Sequence, residues 1–182
     1  YHKGKKLDIV SSFESYGKYL QGDITNKQRE EVVKNSCDKK CGSCSGFYTA
    51  NTMACLLEVM GLTLPNSSSH PSMSLDKFTE SLVHVPNTVE YLIKNDIKPL
   101  DIVNRESFIN AIKMLYLIGG STNAVIHLLA MARTADIELS LEDFKEYEHY
   151  PVLCDMKPHG EKVMHDLYIS GGMRGLFNYF ID

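Results

Sequence analysis

Two adjacent glycines, Gly119 and Gly120, stand between two long helical patterns, Arg105–Ile118 and Thr122–Ala135. A connection that short forces the second helix to fold back sharply on the first. Asn104 is placed to cap the first helix and Ser121 the second, since a side-chain oxygen at that position satisfies an otherwise unpaired backbone N–H. From Ala124 to Ala132, eight of nine residues are apolar, the exception being His127. A helix apolar on nearly all sides is expected to be buried among other elements, with His127 a hydrogen-bonded core histidine. The turn GGSTN (119–123) also sets free N–H groups at a helix start. That geometry receives an anion, and it equally makes a plain, well-capped turn.

Helical punctuation recurs along the chain. Ser11–Leu20 repeats Phe13, Tyr16 and Leu20 at helical spacing around an internal Gly17. Thr25 with Gln28 forms a capping box for a polar helix ending near Asn35. Tyr48–Met60 reads as a helix closed by Gly61 and Pro65, with Ala50, Met53, Ala54, Leu57 and Met60 as its core stripe. Ser74 caps a helix through Val83. Pro86 interrupts it, and Asn87–Asn95 resumes it. Lys98-Pro99 and Asp101 read as a linker, Ser140 with Asp143 as a helix start, and Glu161–Ser170 as a helix ended by Gly171-Gly172. The run Leu176–Ile181 is helical again. Val152-Leu153-Cys154 is the one segment read as a buried strand, with Cys154 a small core hydrophobe.

Composition sets the class. Of 182 residues, 43% are hydrophobic and 23% charged, which suits one globular domain with a full core. A net charge of −4 gives no reason to expect nucleic acid or an acidic membrane as partner. No apolar run approaches the ~20 residues of a membrane span.

Chemistry concentrates in residues 37–53, CDKKCGSCSGFYTANTM, where three of five cysteines, Cys37, Cys41 and Cys44, fall within eight residues. Cys44 is flanked by small residues and precedes a helix start, where free N–H groups stabilise a thiolate. This suits a bound inorganic centre or an anion, with Cys44 the best-placed ligand. Half a zinc site, or a three-cysteine iron–sulfur site with one open iron, also matches the spacing. The polar loop Asn66-Ser67-Ser68-Ser69-His70-Pro71 carries hydroxyls suited to a carboxylate or phosphate, and equally suited to an ordinary loop.

Three long blocks go further. CGSCSGFYTANTMACLLEVMGLTLPNSSS (41–69), GGSTNAVIHLLAMARTADIELSLEDF (119–144) and KPHGEKVMHDLYISGG (157–172) resemble the dihydroxy-acid dehydratase family, which includes the sugar-acid dehydratases. They come in the family's order, and the resemblance runs from about Lys3 to near the end of the chain. It implies an α/β fold, with residues 1–182 the helix-rich part of a single N-terminal domain cut at both ends, and the C-terminal β-barrel domain absent. It implies a hydro-lyase that converts a 2,3-dihydroxy carboxylic acid to a 2-oxo acid. The branched-chain substrate 2,3-dihydroxy-3-methylbutanoate of valine and isoleucine biosynthesis is favoured over a phosphogluconate or other sugar acid.

The same resemblance implies an iron–sulfur cluster (2Fe-2S or 4Fe-4S) and Mg2+. The open iron acts as a Lewis acid on the leaving hydroxyl, the divalent metal stabilises the developing enediolate, and a base removes the alpha proton. The family pattern transfers onto Cys44 as one cluster ligand. The other ligand cysteines and the acidic metal ligands fall upstream of Tyr1, and the serine base falls beyond Asp182, so no catalytic residue is assigned here. Cys37 and Cys41 depart from the family's spacing and receive no ligand role. A homodimer is implied, in the cytoplasm or, in a eukaryote, the mitochondrion or plastid. Two rivals stay open. One is a radical S-adenosylmethionine enzyme, whose C-x3-C-x2-C pattern fits Cys37, Cys41 and Cys44. The other is an inactive fragment.

Overall fold

A computed structural model gives the fold and describes residue 4 and residues 7–36 and 44–181. Cys37 and Cys41 lie outside the described residues. The chain forms two compact units, Tyr1–Ser45 and Gly46–Asp182.

The first unit is a helical hairpin, α1 (Ile9–Leu20) packed on α2 (Asn26–Ser36). Asp8 caps α1 by accepting the Ser11 N–H at 2.9 Å. Thr25 and Gln28 form the expected box at the start of α2, with the Thr25 N–H donating to Gln28 Oε1 at 2.8 Å and the Gln28 N–H to Thr25 Oγ1 at 3.3 Å. Arg29 lies over the Tyr19 ring, 5.8 Å from its centroid, and ties the two helices together.

In the second unit α3 (Thr49–Val59), α7 (Arg105–Leu117) and α8 (Asn123–Thr134) pack on one another around the core. Leu56, Phe108, Ile112 and Leu128 are fully buried, and Ala111, Ala124 and Ala132 let the helix backbones approach closely. Asn104 caps α7 as expected, accepting the Ser107 N–H at 3.0 Å. Gly119 adopts φ +59 in the turn that follows, a left-handed conformation suited to glycine.

The remaining helices are α4 (Leu75–Thr79), α5 (Val85–Lys94), α6 (Pro99–Ile102), α9 (Leu141–Glu146), α10 (Met164–Ile169) and α11 (Gly172–Ile181). Asp143 completes the expected box at α9, its carboxylate accepting the Ser140 N–H at 2.7 Å. The fold is helix-rich. Among the described residues, strand pairing is limited to one isolated bridge between Met156 and Lys162.

Five expectations are corrected by tertiary structure. Pro86 does not break its helix. A π-helical turn, Glu80–His84, joins α4 to α5, and the Val85 N–H donates to the Glu80 carbonyl. Widening the turn there accommodates a ring that lacks a donor and crowds the preceding carbonyls. The Lys98–Asp101 linker is the helical turn α6, held by the Lys98 N–H on Asp101 Oδ2 at 2.7 Å.

Val152–Cys154 is not a buried strand. Val152 is 62% exposed, and with no neighbouring strand the Leu153 N–H instead satisfies the Leu117 carbonyl at the end of α7, at 2.8 Å. Helix α8 buries only the side bearing Ala124, Leu128 and Ala132. Ile126 is 70% exposed, and His127 is exposed rather than in the core, because α3 and α7 cover a single face. On α3 the buried face is Thr52, Cys55, Leu56 and Glu58 with the capping Met60; of the expected stripe Met60 is buried and Met53 packs against the core, but Ala50 is exposed and Leu57 only half-buried.

Candidate functional site

The start of α3 organises the site. Gly46 and Phe47 precede it and are buried. The Phe47 N–H donates to the Lys157 carbonyl at 2.7 Å, and Asn51 Nδ2 donates back to the Gly46 carbonyl at 2.7 Å. A Cβ on Gly46 would lie 2.6 Å from that Lys157 oxygen, so the approach of the two backbones needs glycine. The stretch just after Cys44 is thus clamped onto the KPHG loop.

The N-terminus of α8 meets the same helix end. Thr52 is fully buried, and its Oγ1 accepts the Ser121 N–H at 3.0 Å. Asn123 Nδ2 donates to Thr49 Oγ1 at 2.8 Å, and Thr49 and Ser121 share a hydroxyl contact at 3.4 Å. Gly120 leaves room for this: a Cβ there would reach Thr52 Cγ2 at 2.7 Å. Two helix N-termini therefore converge, with hydroxyls and an amide between them. Aligned backbone dipoles make such a joint favourable for negative charge. In GGSTN the helix starts at Asn123, one residue later than expected, so Thr122 rather than Ser121 is its N-cap and makes no side-chain cap bond; Ser121 Oγ still accepts the Asn123 N–H at 3.3 Å.

The serine loop is held from beneath by two buried carboxylates that sequence reading missed. Glu58 on α3 accepts the Asn66 N–H at 2.6 Å, the Ser68 N–H at 3.1 Å and the Ser68 hydroxyl at 2.6 Å. Glu80, in the π turn, accepts Ser67 Oγ at 2.5 Å, Lys77 Nζ at 2.9 Å and faces His70 Nδ1 at 2.9 Å. A glutamate inside the apolar run MACLLEVM was the available signal for Glu58. Above the loop, the Met173 and Arg174 N–H groups that open α11 donate to Ser69 Oγ at 3.3 Å and Asn66 Oδ1 at 3.1 Å. The loop hydroxyls are thereby committed to internal partners.

Burial raises the pKa of Glu80, but hydrogen bonds from Lys77, Ser67 and His70 and the Lys77 charge outweigh it and hold the carboxyl below its ordinary value. A carboxyl depressed in the folded state stabilises the fold above its unfolded pKa of about 4.3. That contribution is lost as pH falls through the folded value. Urea midpoints measured from pH 6 downward are expected to decline more steeply in the parent protein than in Glu80→Gln. Parallel declines would remove Glu80 from the acid response.

Metal-binding capacity is narrow. Among the described residues, no group of three or more His, Cys, Asp or Glu side chains forms a metal site. Burial pushes the Cys55 thiol up to about 12, against an opposing hydrogen bond with Ser68, and burial also raises Cys154. Both thiols lie in or against the apolar core, and neither belongs to a group of three metal-ligating side chains among the described residues. Cys44 is half-buried and fits as a single cluster donor. The two buried carboxylates of the serine loop, Glu58 and Glu80, do not fit a Mg2+ site, because both are saturated by the loop they hold.

The three blocks that carry the family resemblance therefore meet around α3, through Gly46–Lys157 and Thr49/Thr52–Ser121/Asn123, while Asn66 and Ser69 of the first block hold Met173 and Arg174, the two residues that follow the third. The dihydroxy-acid dehydratase of Francisella tularensis subsp. novicida is 48% identical over 93% of this chain and 30% of its own length. That of Flavobacterium psychrophilum is 45% identical over 99% of the chain and 32% of its own length. A mitochondrial dihydroxy-acid dehydratase of Aspergillus fumigatus is 46% identical over 96% of the chain and 29% of its own length. The chain thus spans about a third of the length of these curated relatives. The family model described as dihydroxy-acid/6-phosphogluconate dehydratase N-terminal matches residues 1–182, and the chain belongs to that family.

Proposed function

We propose that this chain is part of a hydro-lyase that removes water from a 2,3-dihydroxy carboxylic acid to leave a 2-oxo acid, and that its helices form the helix-rich part of an α/β domain. The observation that carries the reading is the meeting of the three family blocks around the start of α3. Relatives named dihydroxy-acid dehydratase favour a branched-chain substrate such as 2,3-dihydroxy-3-methylbutanoate over a sugar acid. No described helix is long and apolar enough to cross a membrane. The full-length protein is taken to be a homodimer, placed in the mitochondrion if it is eukaryotic, as the name of the Aspergillus relative suggests.

Cys44 would hold one iron of an iron–sulfur cluster, with Mg2+ bound by residues beyond those described. When bound, these groups supply Lewis acidity to the leaving hydroxyl and charge stabilisation on the carboxylate side. This chain's own part is positioning. The Gly46–Lys157 clamp fixes the backbone two residues past Cys44. The convergent starts of α3 and α8, with Thr49, Ser121 and Asn123, offer donors to a substrate carboxylate and orient it. No general base is assigned within these residues.

The test uses the full-length protein prepared anaerobically with magnesium. Cys44→Ser is expected to bleach the visible absorbance of the cluster and reduce turnover of the dihydroxy acid by at least about 100-fold, the upper end of what losing only an outer-shell partner of a ligand costs. Cys37→Ser should leave both intact. The opposite pattern would overturn the assignment.

A further inference from the structure

At the joint of α3 and α8, Thr49 and Ser121 are half-buried and Asn123 is exposed, so the outer side of the joint is open to a ligand. Thr52 lies one turn along α3 from Thr49 and has no exposed surface. A buried hydroxyl has one proton to give and lone pairs to fill, and Thr52 uses both. Its Oγ1 accepts the Ser121 N–H at 3.0 Å and donates to the Phe47 carbonyl at 3.3 Å. The Phe47 N–H in turn donates to the Lys157 carbonyl at 2.7 Å. One hydroxyl thus joins the turn before α8 to the segment that enters α3, and through that segment to the KPHG loop. The methyl is placed as closely. A Cβ on Gly120 would come within 2.7 Å of Thr52 Cγ2, so the missing side chain makes the methyl's seat. That seat fixes the rotamer that aims Oγ1 at Ser121. The N-cap of α8 makes no side-chain cap bond, and this end of the helix is tied to α3 instead, by Ser121 on Thr52 below and Asn123 on Thr49 above.

We propose that Thr52 is a positioning residue for the substrate: it sets Ser121 and Asn123 against Thr49, and thereby spaces the donors that receive the substrate carboxylate. The proposal deepens the carboxylate reading above and rests on it. Thr52 itself touches no ligand, because it is enclosed and both its donor and its acceptor capacity are in use. Contacts to a carboxylate form when substrate binds and persist through the reaction. Weakening them therefore raises KM and leaves kcat nearly unchanged. A hydroxyl that only held the fold together would act in the opposite way. Partial unfolding lowers the amount of active enzyme and so the apparent kcat, while the molecules that remain folded keep the parent KM.

The test uses the full-length protein prepared anaerobically with magnesium. Turnover of 2,3-dihydroxy-3-methylbutanoate gives KM and kcat, and calorimetry gives the Kd of its 2-oxo acid product, 3-methyl-2-oxobutanoate. Thr52→Val keeps the shape and removes the hydroxyl. It should raise KM and the product Kd about 10-fold, the worth of one well-placed hydrogen bond, with kcat within about two-fold of the parent. Thr52→Ser returns the hydroxyl without the methyl and should recover most of the loss. A Thr52→Val protein with the parent KM and Kd but a lower kcat would make Thr52 a packing residue and overturn the proposal. Asn123→Ala separates this role from the reading beneath it. If Asn123→Ala also keeps the parent KM and Kd, the carboxylate does not bind at this joint and both fall. If Asn123→Ala weakens binding while Thr52→Val does not, the positioning role alone falls.

Discussion

Glu58→Ala is expected to lower the stability of the protein by about 3–5 kcal/mol, the range for removing one partner of a buried charged network. The carboxylate is 8% exposed and accepts two backbone N–H groups and one hydroxyl from the serine loop. Alanine would leave all three donors without an acceptor in a site too enclosed for water to replace them freely. Each stranded polar group costs about 1–3 kcal/mol. The damage also propagates. Asn66, whose N–H is held by Glu58, sits at φ +67 and accepts the Arg174 N–H that opens α11. Glu58→Gln keeps the shape and one acceptor oxygen and should lose about half as much. Combining Glu58→Ala with Ser68→Ala should cost less than the sum of the two, since both break the same bond. Denaturant unfolding measures the four variants and the parent. A Glu58→Ala midpoint close to that of the parent would mean that the loop is held some other way.

Local chemistry was legible from the sequence, and facing was not. The boxes at Thr25/Gln28 and Ser140/Asp143 and the Asn104 cap need only residues within one turn, and each forms. The α7–α8 reversal followed from Gly119-Gly120. By contrast, the buried sides of α3 and α8 depend on which helices lie across from them. Cys55 and Thr52 are buried where Ala50 and Leu57 were read as the stripe, and α8 exposes Ile126 and His127 because only one flank is covered. Glu58 and Glu80 were missed for the same reason. A glutamate on a helix is ordinarily solvated, and only the fold brings the serine loop over these two. The site itself was half legible. GGSTN, the serine loop and the stretch after Cys44 each stood out in sequence, but the meeting of the first and last at the start of α3, with the serine loop held by Glu58 near its other end, is a tertiary fact.

Gly46→Ala is expected to destabilise the second unit by about 2–4 kcal/mol, within the range for forcing extra atoms into a closed contact. The added carbon would lie 2.6 Å from the Lys157 oxygen and 2.9 Å from the Tyr48 ring. The first of these neighbours is backbone and cannot rotate away. Separating the strands of this clamp breaks the Phe47–Lys157 hydrogen bond of 2.7 Å and withdraws Phe47, 1% exposed, from the core. Gly17→Ala is the internal comparison. It lies within α1, and a Cβ there meets nothing within 4 Å. Alanine in a helix interior should stabilise by roughly 0.5–1 kcal/mol. The same substitution thus has opposite expected signs at two glycines, and thermal unfolding reads both. If Gly46→Ala is as stable as the parent, the backbone approach is looser than the structure has it. If it is destabilised and the full-length protein also loses visible absorbance, while a destabilised Glu58→Ala keeps it, the clamp serves to place Cys44. That outcome would tie the fold of the second unit to the cluster through one intervening residue, Ser45.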